Sequence, residues 1–234
     1  MLFRSLDVHL SCRVATITLA ERRVRVDTDL GAFAADQVIV TVPTSVLESG
    51  AIRFDTACDG HLHAAAGLPL GVADKLYFKL REAEAFAPDT RLFGSTERRD
   101  VGSYTIRPGG RALIEGYFGG DYARHLGQGG LAAFSDAARR EISDAMGTDF
   151  ASTLEPLVAT GWARDPFSLG SYSHALPGHS DARACLAEPI DDRLFFAGEA
   201  TSREFFSTAH GAFEEGIRAA QTVLNRICHR DRTA

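Results

Sequence analysis

The sequence predicts a mixed α/β and α+β fold. Two observations carry this: end segments that read as pieces of one open sheet, and a middle section of strands with one helix between them. A third is the apolar strand at 194–198 that runs almost directly into a long amphipathic helix. Residues 6–19 alternate apolar and polar, the period of a half-buried strand. Residues 23–43 read as two strands around a turn. The second, Val38–Val42, is continuously apolar and β-branched, as expected of a strand buried on both faces of a parallel or mixed sheet. Pro43 ends it. A polar stretch containing His and Gly follows to about residue 71, and strands are expected at 75–80 and 111–118. Residues 131–147 read as a helix with Leu131, Phe134, Ala138, Ile142 and Ala145 on one face and Gly147 as its stop. A strand at Thr153–Thr160 leads into 162–178, a loop rich in aromatics, Gly and Pro. Such loops carry function more often than regular elements do. In the last helix Ala209, Phe213, Ile217, Ala220, Leu224 and Ile227 form one apolar stripe. The segments divide at 1–50, 51–185 and 186–234.

The chain has 234 residues, 45% of them hydrophobic and 24% charged, which is ordinary for a folded protein. A net charge of −6 argues against a general nucleic-acid binder, which carries a basic surplus. The opening MLFRSLDVHLSCRV has no continuous apolar core, so no signal peptide is expected, and no apolar run suffices to span a bilayer. Cys12, Cys58, Cys185 and Cys228 stand far apart without CxxC spacing, which suits free thiols in a reducing cytoplasm.

Few motifs survive comparison with their structural explanations. The fragment 127-GQGGLA-132 fits G-x-G-x-x-A, but no strand precedes it, and a helix-entry turn explains it better than a phosphate site. His61 and His63, and His174 and His179, lack the third and fourth ligands a zinc site needs, so no metal is expected. GxSxG is absent. The stretch 194-LFFAGEATSREFFSTAHGAFEEGIRAAQTVL-224 is different, because several features agree. A strand ends at Gly198, where backbone can approach a ligand, and Glu199 follows as an acceptor for hydroxyls. Ser207 or Thr208 can cap the helix, whose free N–H groups at Ala209 and His210 favour an anion or an electron-rich heterocycle. Simple packing of strand, loop and helix explains the same residues.

That stretch resembles the C-terminal signature of the flavin-dependent amine oxidases, the family of monoamine and polyamine oxidases and lysine-specific demethylases. Three more segments agree, in the family's order: 35-ADQVIVTVPTSVL-47, 71-GVADKLYFKL-80 and 162-WARDPFSLGSYS-173. The resemblance implies FAD as cofactor, an amine as substrate and oxygen as electron acceptor. It implies that Val14 meets the adenine, that Trp162 and Phe167 border the flavin ring, and that Gly198 and Glu199 meet the ribityl–pyrophosphate region. Thr208 and Ala209 would reach the pyrimidine edge, and Lys75 would hold a water beside N5. Tyr172 would form one wall of the substrate's aromatic box. Ser171 stands where some members attach flavin through Cys, so a non-covalent cofactor is expected. Thr208 stands where the second aromatic wall is found in some members, which leans toward the polyamine-oxidase and demethylase branch, with Phe205 or Phe206 as compensation. The family's opening βαβ unit with GxGxxG has no counterpart here. The implied architecture is therefore a partial Rossmann-like FAD/NAD(P)-binding domain lacking that unit, formed by 1–50 and 186–234, plus a mixed-sheet substrate domain at 51–185. The strand Val38–Val42 should then lack neighbours. A complementing chain bearing GxGxxG, an inactive truncated product and a flavin-free docking module are the three expectations that follow.

Overall fold

The computed structural model describes residues 7–233, with side chains through 227. The opening residues 1–6 and the Cys228 thiol, on which two of the readings above rest, lie outside the described residues. The chain divides into two compact units, one made of the described residues through Pro69 together with those from Ser173 onward, the other of Leu70–Tyr172. The middle unit is narrower than 51–185. Helices α2 (Asp59–Ala66) and α5 (Ala182–Ala187) bury Ala64, Ala65, Ala182 and Leu186 in the core of the first unit, which draws their flanks away from the middle one.

In the first unit, β1 (Val14–Leu19), β2 (Val24–Thr28) and β3 (Gly31–Ala35) form an antiparallel meander, with the short β5 (Arg53–Phe54) added parallel to β1. The strand begins later than residue 6–13 patterning suggests, because Ser11 takes a left-handed φ of 53°. β4 (Val38–Val40) pairs in parallel with β11 (Leu194–Phe196). The expected isolation of Val38–Val42 is therefore corrected: β4 has one strand neighbour. Burial on both faces is corrected too, since Val38 and Ile39 are half-buried and only Val40 is buried. Pro43 serves as the N-cap of α1 (Thr44–Glu48), where its missing N–H costs nothing. The polar stretch to residue 71 thus contains two helices. Leu47, Leu68, Leu186, Leu194 and Phe196 centre this core. The long α6 (Ala209–Thr233) closes the unit.

The second unit is a five-stranded sheet in the order β10-β6-β9-β8-β7, with β6 (Ala73–Lys79), β7 (Thr90–Phe93), β8 (Ser103–Ile106), β9 (Leu113–Gly119) and β10 (Glu155–Ala159). Every ladder is antiparallel, so the sheet is not mixed as expected. Along β6 the side chains alternate: Asp74, Leu76 and Phe78 are buried, while Lys75 and Tyr77 are half-buried on the opposite face. The buried row packs against α3 (Gly120–Met146), whose Phe134, Ala138 and Ile142 are buried as the sequence predicts, whereas Leu131 and Ala145 stay exposed. The helix starts eleven residues before Leu131. The GQGGLA fragment lies inside it, at a kink where Gly130 takes φ 62°. Gly147, at φ 92°, ends it, and α4 (Thr148–Ser152) leads to β10.

Candidate functional site

In the second unit Lys75 sits mid-strand on the half-buried face of β6. Its backbone is held on both sides by Thr160: the Lys75 N–H donates to Thr160 Oγ1 at 2.8 Å, and the Thr160 N–H donates to Lys75 O at 2.8 Å. Its ammonium donates to Glu115 Oε1 at 3.1 Å, and the Tyr77 phenol donates to Glu115 Oε2 at 2.9 Å. Burial first, and this bond second, raise the Tyr77 phenol above its ordinary value. Tyr117, the register partner of Lys75 across β9, carries a phenol oxygen 2.7 Å from that of Tyr172. Burial, then that bond, push the Tyr117 phenol up to about 12.

The loop after β10 closes on itself. The Trp162 carbonyl accepts the Gly170 N–H at 3.0 Å and the Ser168 hydroxyl at 3.2 Å, and Asp165 Oδ1 accepts the Phe167 N–H at 2.7 Å. Ser171 binds β6 through its hydroxyl, which takes the Ala73 N–H and donates to Ala73 O. The loop therefore presents its rings outward: Trp162 is 45% exposed, Phe167 78% and Tyr172 40%. Tyr172 is thus joined to Tyr117, the register partner of Lys75, while Trp162 is tied through its N–H to Asp74 on the opposite, buried row of β6, and Phe167 is the most exposed ring of the loop. Asp74, Glu115 and Tyr117 were not read from the sequence. Their partners are 38 to 88 residues distant, so no local pattern marks them.

In the first unit Gly198 has φ 152°, where a side chain is strained, and open space lies where a Cβ would point. The N–H groups of Glu199, Ala209 and His210 make no hydrogen bond among the described residues. Thr208 is the cap: its Oγ1 accepts the Gly211 N–H at 3.1 Å. A Cβ on Gly211 would collide with the Phe205 carbonyl, so the tight entry requires glycine there. The Glu199 carboxylate is engaged within the chain. It already accepts the Ser173 N–H at 2.9 Å, the Ser173 hydroxyl at 2.8 Å and the Ser207 N–H at 2.6 Å. It braces the entry to α6. Arg183, 4% exposed, supports the brace by donating to Ser173 Oγ at 2.8 Å and Ala200 O at 3.2 Å, with Phe206 stacked 4.2 Å away. Val14 opens β1 and packs into the core; no hydrogen bond joins it to Gly198, Glu199, Thr208 or Ala209.

These features suit a flavin. Open glycine backbone and unbonded helix-start N–H groups favour an electron-rich ring edge or an anionic linker. Exposed aromatic rings suit a planar heterocycle. The histidines do other work: His61 Nε2 is 2.8 Å from Glu188 O and its ring stacks on Phe196 at 5.4 Å. Among the described residues no three His, Cys, Asp or Glu side chains converge on a metal position. Cys12, Cys58 and Cys185 are free thiols. No helix among the described residues is long and apolar enough to cross a membrane.

Comparison with known proteins supplies the remaining finding. A family model described as flavin containing amine oxidoreductase matches residues 3–224. Lysine-specific histone demethylase 1 homolog 2 of Arabidopsis thaliana is 30% identical over 224 residues, covering 91% of this chain and 30% of that protein. Polyamine oxidase 2 of Arabidopsis thaliana is 30% identical over 236 residues, covering 98% of this chain and 47% of its own length. Protein FLOWERING LOCUS D of the same plant is 34% identical over 233 residues, covering 90% and 28%. The chain spans about half, or less, of the length of these curated relatives.

Proposed function

Because the chain belongs to the flavin-containing amine oxidoreductases, we propose that it supplies the amine-binding and cofactor-closing part of an FAD-dependent amine oxidase. The observation that carries this reading is the accessible Lys75 on β6, whose register partner Tyr117 is bonded to the exposed Tyr172, with the exposed Trp162 and Phe167 on the loop that leads to Tyr172. Bound flavin supplies the acceptor for a hydride from the carbon beside an amine nitrogen. The residues of this chain orient, dehydrate and balance charge. Trp162 and Phe167 offer ring faces to the cofactor, and Tyr172 offers a wall to the neutral amine. Tyr117 supplies the second wall that the Thr208 position lacks. The Lys75 ammonium holds a water and stabilises negative charge as oxygen is reduced. In the first unit, Gly198 and the N–H groups of Glu199, Ala209 and His210 serve the ribityl chain and the pyrimidine edge. Ser171 carries no thiol, so the cofactor is held without a covalent bond. The relatives are named as polyamine oxidases and histone demethylases, and the substrate class proposed here is an amine.

We infer further that a polypeptide with a GxGxxG-bearing βαβ unit completes the cofactor site, and that the first unit is the remainder of a Rossmann-like domain. Two features support this. Among the described residues β4 and β11 form a sheet of two strands, and the α6 row of Phe213, Ile217, Leu224 and Ile227 is exposed. The test is to purify the chain with and without such a polypeptide. Yellow protein with FAD in the pair is expected, and colourless protein in both preparations would overturn the reading.

A further inference from the structure

We propose that Asp74 is a positioning residue, which through Thr160 fixes the backbone of Lys75 and the start of the Trp162 loop as one unit. A carboxylate on the buried row of β6 is costly unless donors satisfy it. Asp74 is 1% exposed and shares the buried row of β6 with Leu76 and Phe78. Its Oδ1 accepts the Thr160 hydroxyl at 2.8 Å and the Trp162 N–H at 3.1 Å. The same Thr160 oxygen accepts the Lys75 N–H at 2.8 Å. A continuous chain of donors therefore runs from Lys75 N–H through the Thr160 hydroxyl to Asp74, and back from the Trp162 N–H to the same oxygen. Because the Trp162 carbonyl in turn holds Gly170 N–H, the pin reaches to within two residues of Tyr172. The Ser171 hydroxyl ties the far end of the same loop to Ala73 of β6, whereas Asp74 ties its start at Trp162. At 1% exposure Asp74 acts through the two groups it holds.

The chain has one tryptophan, so its fluorescence reports this loop alone. Thr160→Val removes the hydroxyl at nearly constant shape. It is expected to lower the steady-state anisotropy of Trp162 and to speed hydrogen exchange of the Lys75 amide by about tenfold, as loss of a hydrogen bond to a charged network implies. Thr160→Ser and Asp74→Asn, which keep a hydroxyl and an Oδ1 acceptor respectively, should restore wild-type values. Thr160→Val with wild-type anisotropy and exchange, in a chain of unchanged circular dichroism, overturns the proposal. The link to the cofactor rests on the reading above and is tested separately, by adding FAD to the completed pair. Quenching of Trp162 that weakens in Thr160→Val supports positioning toward the flavin. Absent quenching in the wild type removes the cofactor placement, while exchange of the Lys75 amide and anisotropy of Trp162 still decide whether the Asp74–Thr160 pair holds the strand and the loop together.

Discussion

The Lys75 ammonium and the Glu115 carboxylate form an ion pair 3.1 Å long on the accessible face of the second unit's sheet. The Lys75 side chain is 41% exposed and that of Glu115 24%, so the pair contributes under about 1 kcal/mol to stability. Its consequence is electrostatic: Glu115 shares the positive charge that Lys75 would offer to oxygen. Lys75→Met in a flavin-loaded complex should slow reoxidation by oxygen by about tenfold or more while changing reduction by amine less. Glu115→Gln should move reoxidation in the opposite direction and leave the urea midpoint nearly unchanged. Stopped-flow measurement of the two half-reactions decides both. Equal reoxidation rates in wild type and Lys75→Met would remove the lysine from its role.

Alkaline pH should destabilise the second unit through its phenols. Burial, followed by the bond to Tyr172, pushes Tyr117 up to about 12. Burial and then Glu141 push Tyr122 up to about 12 and raise Tyr104 as well. Each phenol keeps its proton in the folded chain at a pH where the unfolded chain, titrating near about 10, has lost it. Above about pH 10 the unfolded state therefore binds fewer protons, and stability falls as pH rises toward the folded values. Urea midpoints measured on either side of pH 10 should drop across that window. Tyr122→Phe should flatten part of the drop, and a slope equal to wild type would show that its environment relaxes.

How far the sequence announces this arrangement differs from residue to residue. Lys75 and Tyr172 stand out because a resemblance marks them and the surrounding strand alternates cleanly. Asp74 is one residue from Lys75 yet carries no mark of its role, because an acidic residue in a strand reads as surface until its partners Thr160 and Trp162 are placed beside it. The first turns of α3 were hidden by glycine. Gly127, Gly129 and Gly130 look like a break, but Leu126 and Phe134 are buried on either side and hold one kinked helix together. For α6 the 3.6-residue period is legible and the buried side is not. Spacing defines an apolar row, whereas burial depends on what covers it, and among the described side chains of α6 Gly211 and Ala219 are the buried positions.

The brace at the entry to α6 should be the most sensitive point of the first unit. Arg183 is buried and holds Ser173 and Ala200, and Ser173 passes the connection to Glu199. Arg183→Met leaves these acceptors without their donor and is expected to cost about 3 kcal/mol, read from the urea midpoint. Arg183→Lys should recover only part, since an ammonium lacks the planar fork that both donates and stacks on Phe206. Exchange of the Ser207 amide should quicken in both variants. A midpoint unmoved by Arg183→Met would mean that the brace is dispensable.

Exposure along α6 gives a prediction about the isolated chain. Phe213 is 67% exposed, and Ile217, Leu224 and Ile227 share its side of the helix at 41%, 58% and 45%. A contiguous apolar row in water favours association with any apolar surface. The purified chain should therefore bind an apolar dye such as anilinonaphthalene sulfonate and self-associate with rising concentration. Replacing Ile217 and Leu224 together by Gln should reduce both effects while changing stability by less than about 0.5 kcal/mol per site, as befits exposed positions. The same pair of substitutions should weaken association with a GxGxxG-bearing polypeptide if that polypeptide covers the row. Light scattering with the dye titration separates the possibilities. A large loss of stability in the double variant would show that the row is buried in solution, against the exposure seen here.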